Sequence, residues 1–236
     1  MCDTCGCSAT ANPESVEVLK GLLAANDHQA MHNREHLDRH RTLAINLMSS
    51  PGAGKTSLLE ATIDALSEKL NMAVIEGDLE TENDANRIRG KGVTAIQICT
   101  GTACHLDANM VHTALHQLPL HKLDVVFIEN VGNLVCPASF DLGQHVNVAL
   151  LSTPEGDDKA AKYPVMFRAA DLILITKSDL LSLLDDFDPE KAASHVRALA
   201  NPAPIHTLSA RNGSGLHAWF DWIAGQMSQM NAGVRQ

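Results

Sequence analysis

The chain has 236 residues and a mass of 25.3 kDa, and 18 basic against 28 acidic side chains give it a formal net charge of −10. That length suits one α/β domain with short extensions, and a 45% apolar, 19% charged composition can build a core, which excludes global disorder. The acidity argues against a broad nucleic-acid or anionic-membrane surface, and no apolar run approaches the ~18–20 residues of a membrane span. The start MCDTCGCSAT has neither the basic nor the apolar region of a signal peptide, so the expected location is the cytoplasm.

Residues 1–41 read as an N-terminal extension and residues 42–236 as the main domain. Cys2, Cys5 and Cys7 place three thiols within six residues. In a cytoplasmic chain such thiols point to metal rather than disulfides, and zinc or an iron–sulfur cluster is the generic expectation. Val16 to about Arg41 reads as helix. Within it His28, His32, His36 and His40 recur every four residues as one slowly drifting stripe, read as a solvated face.

From Thr42 apolar runs alternate with helical segments. The runs are TLAINLMSS, MAVIEGD, TAIQICT, DVVFIENV, VNVALLST, DLILITKSD and PIHTLSA. The helical segments include SLLEATIDALSEKL, CHLDANMVHTALHQL and PEKAASHVRALA. Such alternation predicts an α/β fold with a mostly parallel sheet covered on both faces.

The first run leads straight into Ser49-Ser50-Pro51-Gly52-Ala53-Gly54-Lys55-Thr56-Ser57, a phosphate-binding loop with Ser49 in place of the first glycine. Small residues let backbone N–H groups wrap phosphates, Lys55 reaches the β/γ oxygens, and the Thr56 hydroxyl ligates Mg²⁺. Gly77-Asp78 ends the second run and Glu129-Asn130-Val131-Gly132 the fourth, positions that flank the γ-phosphate and Mg²⁺ in P-loop enzymes. There Asp78 could orient water or hold magnesium, and the Gly132 N–H could sense the γ-phosphate.

Cys104-His105 follows the third run, at the expected start of a helix whose N-terminus would favour the thiolate. Cys136 lies four residues beyond Gly132. Two thiolates and an imidazole suit Zn²⁺ or Ni²⁺, and Cys136 would share a loop with the γ-phosphate sensor. Cys99 is expected to be a buried mid-strand thiol, and His112, His116 and His121 to be surface residues. Further on, Thr176-Lys177-Ser178-Asp179 and Ser209-Ala210-Arg211 resemble the guanine-recognition elements of GTPases. Asp179 would accept from the two guanine N–H donors, Lys177 would cover the base, and the Ala210 N–H would meet the exocyclic oxygen. Thr176 stands where Asn is usual and is expected to remove one amide bridge to the phosphate loop.

MCDTCGC, SSPGAGKT, GTACHLDANMV, ENVGNLVCP and TKSDLL, in this order over nearly the whole chain, resemble the HypB family, the nickel-insertion GTPases of [NiFe]-hydrogenase maturation. The resemblance implies a P-loop NTPase fold of the SIMIBI-type G domain and slow, regulatory GTP hydrolysis to GDP. It implies GTP/GDP, Mg²⁺, Ni²⁺ and Zn²⁺ as ligands. Cys2, Cys5 and Cys7 match the tight nickel site of some members. Cys104, His105 and Cys136 match the weaker nickel or zinc site near a GTP-dependent dimer interface. The implied catalytic set is Lys55, Asp78, Glu129 and Gly132, with Glu129 where many GTPases carry Asp. The implied partners are a second copy of the chain, a HypA-type chaperone, a prolyl-isomerase metallochaperone and the hydrogenase large subunit. The long His-rich tract of some members is absent from this sequence. A zinc- or iron–sulfur-binding P-loop scaffold without productive turnover is the alternative.

Overall fold

The computed structural model describes residues 13–78 and 82–233. In chain order the elements are α1 (Pro13–His40), β1 (Leu43–Ser49), α2 (Lys55–Leu66), β2 (Met72–Asp78), α3 (Asn83–Gly90), β3 (Thr94–Cys99) and α4 (Ala108–Leu115). There follow β4 (Val125–Glu129), β5 (Val146–Ser152), α5 (Lys159–Lys162), α6 (Pro164–Arg168), β6 (Leu172–Thr176), α7 (Pro189–Ala198), β7 (Ile205–Thr207) and α8 (Leu216–Asn231). All seven apolar runs are strands. They form one parallel sheet in the order β3-β2-β4-β1-β5-β6-β7. Among the described residues no helix is long and apolar enough to cross a membrane.

Alternation along β1 assigns the two faces of the sheet. Leu43, Ile45 and Leu47 pack with Leu58, Leu59 and Ile63 of α2 and with Trp219 and Ile223 of α8. Ala44 points the other way, toward Leu37 of α1 and Val111 and Leu115 of α4. Met48, also on that side, joins Phe167 of α6 and Val196 of α7. Trp219 is fully buried, and its indole N–H donates to Thr62 Oγ1 at 2.9 Å, so the largest core side chain carries no orphaned donor.

The central part of α1 belongs to this core. Ala30, Asn33 and Leu37 are fully buried. Asn33 Nδ2 donates to Ala108 O at 2.8 Å and to Leu142 O at 2.9 Å, and Arg34 pairs with Asp141 at 2.8 Å. The helix is thereby tied both to the start of α4 and to the loop that leads into β5.

Two expectations are corrected. Cys99 is exposed, at the end of β3, because β3 is an edge strand and its last residue has a neighbour on one side only. The helix expected from Cys104 begins at Ala108 instead. Asp107 caps it by accepting from Met110 N at 2.7 Å, and the chain adopts an extended conformation there (φ −112°, ψ 169°), which excludes the preceding residues from the helix.

One buried histidine sets a pH limit on the fold. His145 Nδ1 accepts from the Ala44 N–H at 2.8 Å and Nε2 donates to Asp38 Oδ1 at 3.0 Å, which fixes the neutral Nε2–H tautomer. Burial, with Arg34 nearby, pushes its pKa down to about 4. Asp38 pulls the other way, but a second proton would have to enter at Nδ1, where the Ala44 N–H already points. The unfolded chain accepts a proton near pH 6.5 that the native ring refuses until about pH 4, so stability rises with pH through that window. Denaturant midpoints should fall as pH drops from about 6.5 to 4, by at most about 3 kcal/mol from this group. His145→Asn should flatten that limb.

Candidate nucleotide and metal site

The phosphate-binding loop joins the fully buried β1 to α2, turning through Gly52 and Gly54 in left-handed backbone. Ser49, in place of a glycine, is buried. Its hydroxyl donates to Ser50 O at 2.7 Å and accepts from Lys55 Nζ at 3.2 Å, so it helps aim the lysine. Ser50 in turn donates to Glu155, whose other oxygen accepts from Ser152 N at 2.9 Å. Glu155 therefore braces the loop from β5, a role that the motif itself did not signal.

A cleft of about 460 Å³ opens at the carboxyl ends of β1, β2 and β4, lined by Gly52, Lys55, Thr56, Asp78, Glu129 and Gly132 among others. Parallel sheets place their ligand sites at this edge. Glu129 lies buried at the end of β4, accepts from Thr56 Oγ1 at 2.9 Å and stands 3.9 Å from Lys55 Nζ. In register beside it on β2 is Glu76, also buried. Desolvation first, and then the neighbouring Glu129, push Glu76 up to about 11, so it holds a proton; burial raises Glu129 as well, against the pull of Lys55 and Thr56 toward its charged form. Glu76 and Asp84 were missed from the sequence. The available signal was a carboxylate inside an apolar strand run, where the charge is costly without a partner.

Glu76, Asp84 and Glu129 each offer an oxygen within 4.8 Å of the others. No donor of the surrounding fold reaches the buried Glu76 Oε2 and Glu129 Oε2, and the proton on Glu76 bridges the two carboxyls. Hard oxygens beside a threonine hydroxyl fit a small divalent cation, and Mg²⁺ takes such ligands. Thr56, Glu129 and, with its proton displaced, Glu76 would hold it.

A second, mostly apolar cavity of about 220 Å³ adjoins the first, and Gly54 and Lys177 line both. Asp179 sits in its wall with Oδ1 accepting from Ser209 Oγ at 2.6 Å, while Ser209 Oγ also accepts from Arg211 N at 3.3 Å. Ser57, Ala210 and Arg211 complete that wall. Lys177 adopts a left-handed backbone conformation (φ 58°), and its carbonyl accepts from Thr153 Oγ1 at 2.9 Å. The expectation for Thr176 is corrected, since its hydroxyl donates to Ala53 O at 2.7 Å. The bridge to the phosphate loop survives through a shorter side chain.

Cys104 and Cys136 meet with their sulfurs 3.1 Å apart, and His105 Nδ1 is 3.8 Å from Cys104 Sγ. All three ligand atoms lie within 4.8 Å of one another at the surface. Two sulfurs on one tetrahedral ion at about 2.3 Å stand about 3.8 Å apart, so a small opening of the thiol pair admits a metal. The hydrogen bond with Cys104, then burial, holds the Cys136 thiol above its ordinary range. His105 stacks on Phe140 at 3.9 Å between centroids, and burial lowers its pKa, which keeps the imidazole neutral and able to ligate. Cys104 stands four residues ahead of α4, away from the helix terminus expected to carry it. Cys2, Cys5 and Cys7 lie outside the described residues.

The two sites share a mechanical connection. Asn133 Nδ2 donates to Cys104 O at 3.3 Å, and Leu106 N donates to Asn130 Oδ1 at 3.3 Å. Leu106 in turn packs on Gly77, between the two acidic residues that end β2, and a Cβ on Gly77 would lie 2.8 Å from it. Gly132 approaches Pro51 so closely that a Cβ would stand 2.8 Å from Pro51 Cα. Gly132→Ala must therefore push the Val131–Cys136 segment off the phosphate loop. It should cost about 1–3 kcal/mol in a denaturation series, as overpacking does, and shift the Cys104 and Cys136 thiol titrations. Unchanged thiols would show that the segment moves without the metal ligands.

Residues 43–207 match the nucleotide-binding domain of the CobW/HypB/UreG family. The hydrogenase maturation factor HypB of Azotobacter vinelandii is 49% identical over 211 residues, covering 89% of this chain and 69% of the relative. The hydrogenase/urease maturation factor HypB of Helicobacter hepaticus is 49% identical over 222 residues, covering 92% and 90%. Among solved structures, HypB from Helicobacter pylori in complex with nickel superposes with a TM-score of 0.82 at 40% identity, covering 90% of this chain and 98% of that one. HypB from Archaeoglobus fulgidus gives 0.81 at 39%, covering 87% and 100%.

Proposed function

Because this chain belongs to the HypB family of hydrogenase maturation factors, we propose that it is a GTP-hydrolysing nickel chaperone whose nucleotide state sets the affinity of a surface nickel site. GTP binds with its phosphates on the loop from Gly52 to Ser57 and its base against Asp179, Lys177 and Ala210. Mg²⁺, held by Thr56 and Glu129 with Glu76 beside them, would neutralise charge on the phosphates. Lys55 supplies the fixed positive charge, and the backbone N–H of Gly132 meets the γ-phosphate. Asp78, at the rim of the cleft, orients water.

The observation that carries this reading is that one segment, Glu129–Cys136, holds a carboxylate in the nucleotide cleft at one end and a thiol beside Cys104 and His105 at the other. A phosphate that shifts Gly132 shifts Cys136 with it. The nickel-bound relative supports nickel as the cargo. In this reading Cys2, Cys5 and Cys7 form a second, tighter nickel site on the N-terminal extension. GTP favours a homodimer that brings two Cys104/His105/Cys136 sets together, and Zn²⁺ can compete for them. A HypA-type chaperone and a prolyl-isomerase metallochaperone act as partners, and the hydrogenase large subunit receives the metal.

Such coupling is reciprocal, so nickel must change GTP affinity by the factor by which GTP changes nickel affinity. Nickel titrations of reduced, metal-free protein, with GDP and with a non-hydrolysable GTP analogue, should differ by about fivefold or more at the Cys104/Cys136 site. Identical curves would sink the gating mechanism and leave a GTPase alone. Lys55→Ala should abolish phosphate release while leaving nickel binding by the N-terminal thiols intact. Asp179→Asn should weaken the preference for guanine over xanthine nucleotides, because the amide offers a donor where the N–H groups of guanine need acceptors. Unaltered selectivity would remove Asp179 from the base site.

A further inference from the structure

The histidine stripe of α1 does not face solvent alone. It meets His112 of α4 and His116, which caps that helix four residues later on the same face. His112 Nε2 and His116 Nε2 stand 3.2 Å apart. The His36 ring lies 5.1 Å from that of His116, centroid to centroid, and His40 and His116 both flank His36. His32 is close enough to His112 to depress its protonation, and its own ring contacts His28 at 4.7 Å.

The tautomer of His112 is fixed from behind. Asn33 is fully buried, and its amide nitrogen donates to two backbone carbonyls, so its oxygen must face away from them. That oxygen sits 2.9 Å from His112 Nδ1 and accepts the ring N–H. In the neutral ring the Nε2 lone pair is then directed at His116. A protein ligand that donates its second ring nitrogen to an oxygen is the usual outer-shell arrangement of a metal-bound histidine. Two nitrogens at about 2.0–2.1 Å from one ion, at angles near 90–110°, lie about 2.9–3.4 Å apart. The observed separation falls in that interval.

We propose that His112 of α4 and His116, which caps the end of that helix, joined by His36 and His32 of α1, form an all-imidazole site for a divalent transition-metal ion of borderline softness, separate from the thiol site. Imidazole nitrogens suit Ni²⁺ and Zn²⁺ and disfavour Mg²⁺, so the site does not compete with the carboxylates of the nucleotide cleft. Burial and the neighbouring histidines lower the pKa of His112 and of His36, which leaves their lone pairs free near neutral pH. His112 and His116 already hold two nitrogens at ligand spacing, and the exposed His32 and half-exposed His36 would have to turn about their side-chain bonds to complete the set and strap α1 to α4. This site is independent of nickel delivery, since any ion of that class would fill it.

The test uses the full-length chain with Cys2, Cys5, Cys7, Cys104 and Cys136 replaced by Ser and His105 by Gln, titrated separately with Ni²⁺ and with Zn²⁺. The expected result is one ion retained per chain, with X-ray absorption showing nitrogen and oxygen ligands, imidazole scattering and no sulfur. Adding His36→Gln and His116→Gln should weaken that ion by about tenfold or more. No retained ion, or a retained ion indifferent to His36 and His116, overturns the site. Should the six-fold background fail to fold, His36→Gln with His116→Gln in the otherwise native chain decides the matter. Metal stoichiometry then falls by one ion per chain, and an unchanged stoichiometry overturns the proposal. Neither residue supports the core, so thermal unfolding of the metal-free double variant should match that of the parent.

Discussion

Two carboxylates buried side by side on adjacent strands set the terms for the whole cleft. Glu76 and Glu129 are in register on β2 and β4, where two negative charges cannot both persist without a cation. Lys55 faces them at 3.9 Å from Glu129, one positive charge against two carboxyls, so one carboxyl keeps its proton. Buried oxygens that no donor of the fold reaches are costly in a finished fold and inexpensive in a site that completes itself with a ligand. The phosphate loop, the Thr56 hydroxyl and the first turn of α3 all converge on this pair.

That convergence explains the crowding around it. The Val131–Cys136 segment lies against Pro51 so closely that only glycine fits at 132, and Leu106 fills the space above Gly77. Side-chain amides of Asn130 and Asn133 fasten this segment to the loop bearing Cys104 and His105. Packed contacts of this kind move together because an interior without voids cannot absorb a displacement locally. The thiol site is exposed, yet its geometry is inherited from the buried edge of the sheet.

Helix α1 adds a second attachment. Asn26 Nδ2 donates to Asp141 O at 2.8 Å and its oxygen accepts from Ala108 N at 2.9 Å, so the helix grips both the segment beyond Cys136 and the start of α4. Asn33 repeats the pattern two turns further along the same face, with no charge to desolvate. The extension that carries the N-terminal thiols in sequence is therefore continuous with a helix built into the body of the fold.

Much of this was legible in the residues. Continuous apolar runs announce buried parallel strands, six of the seven spanning five to seven residues, because both faces of such a sheet are covered. The phosphate loop declares itself through local backbone demands, which hold wherever a strand turns into a helix around a phosphate. Pairings across the chain were decided only in three dimensions. Nothing local tells Glu76 that Glu129 will be its neighbour, or brings His112 and His116 to Asn33 and His36, about eighty residues earlier. The exposure of Cys99 and the late start of α4 likewise depended on which strand became an edge and on where Asp107 could cap. Local chemistry is written in neighbours along the chain, whereas the charge, tautomer and reach of a side chain depend on what the fold packs against it.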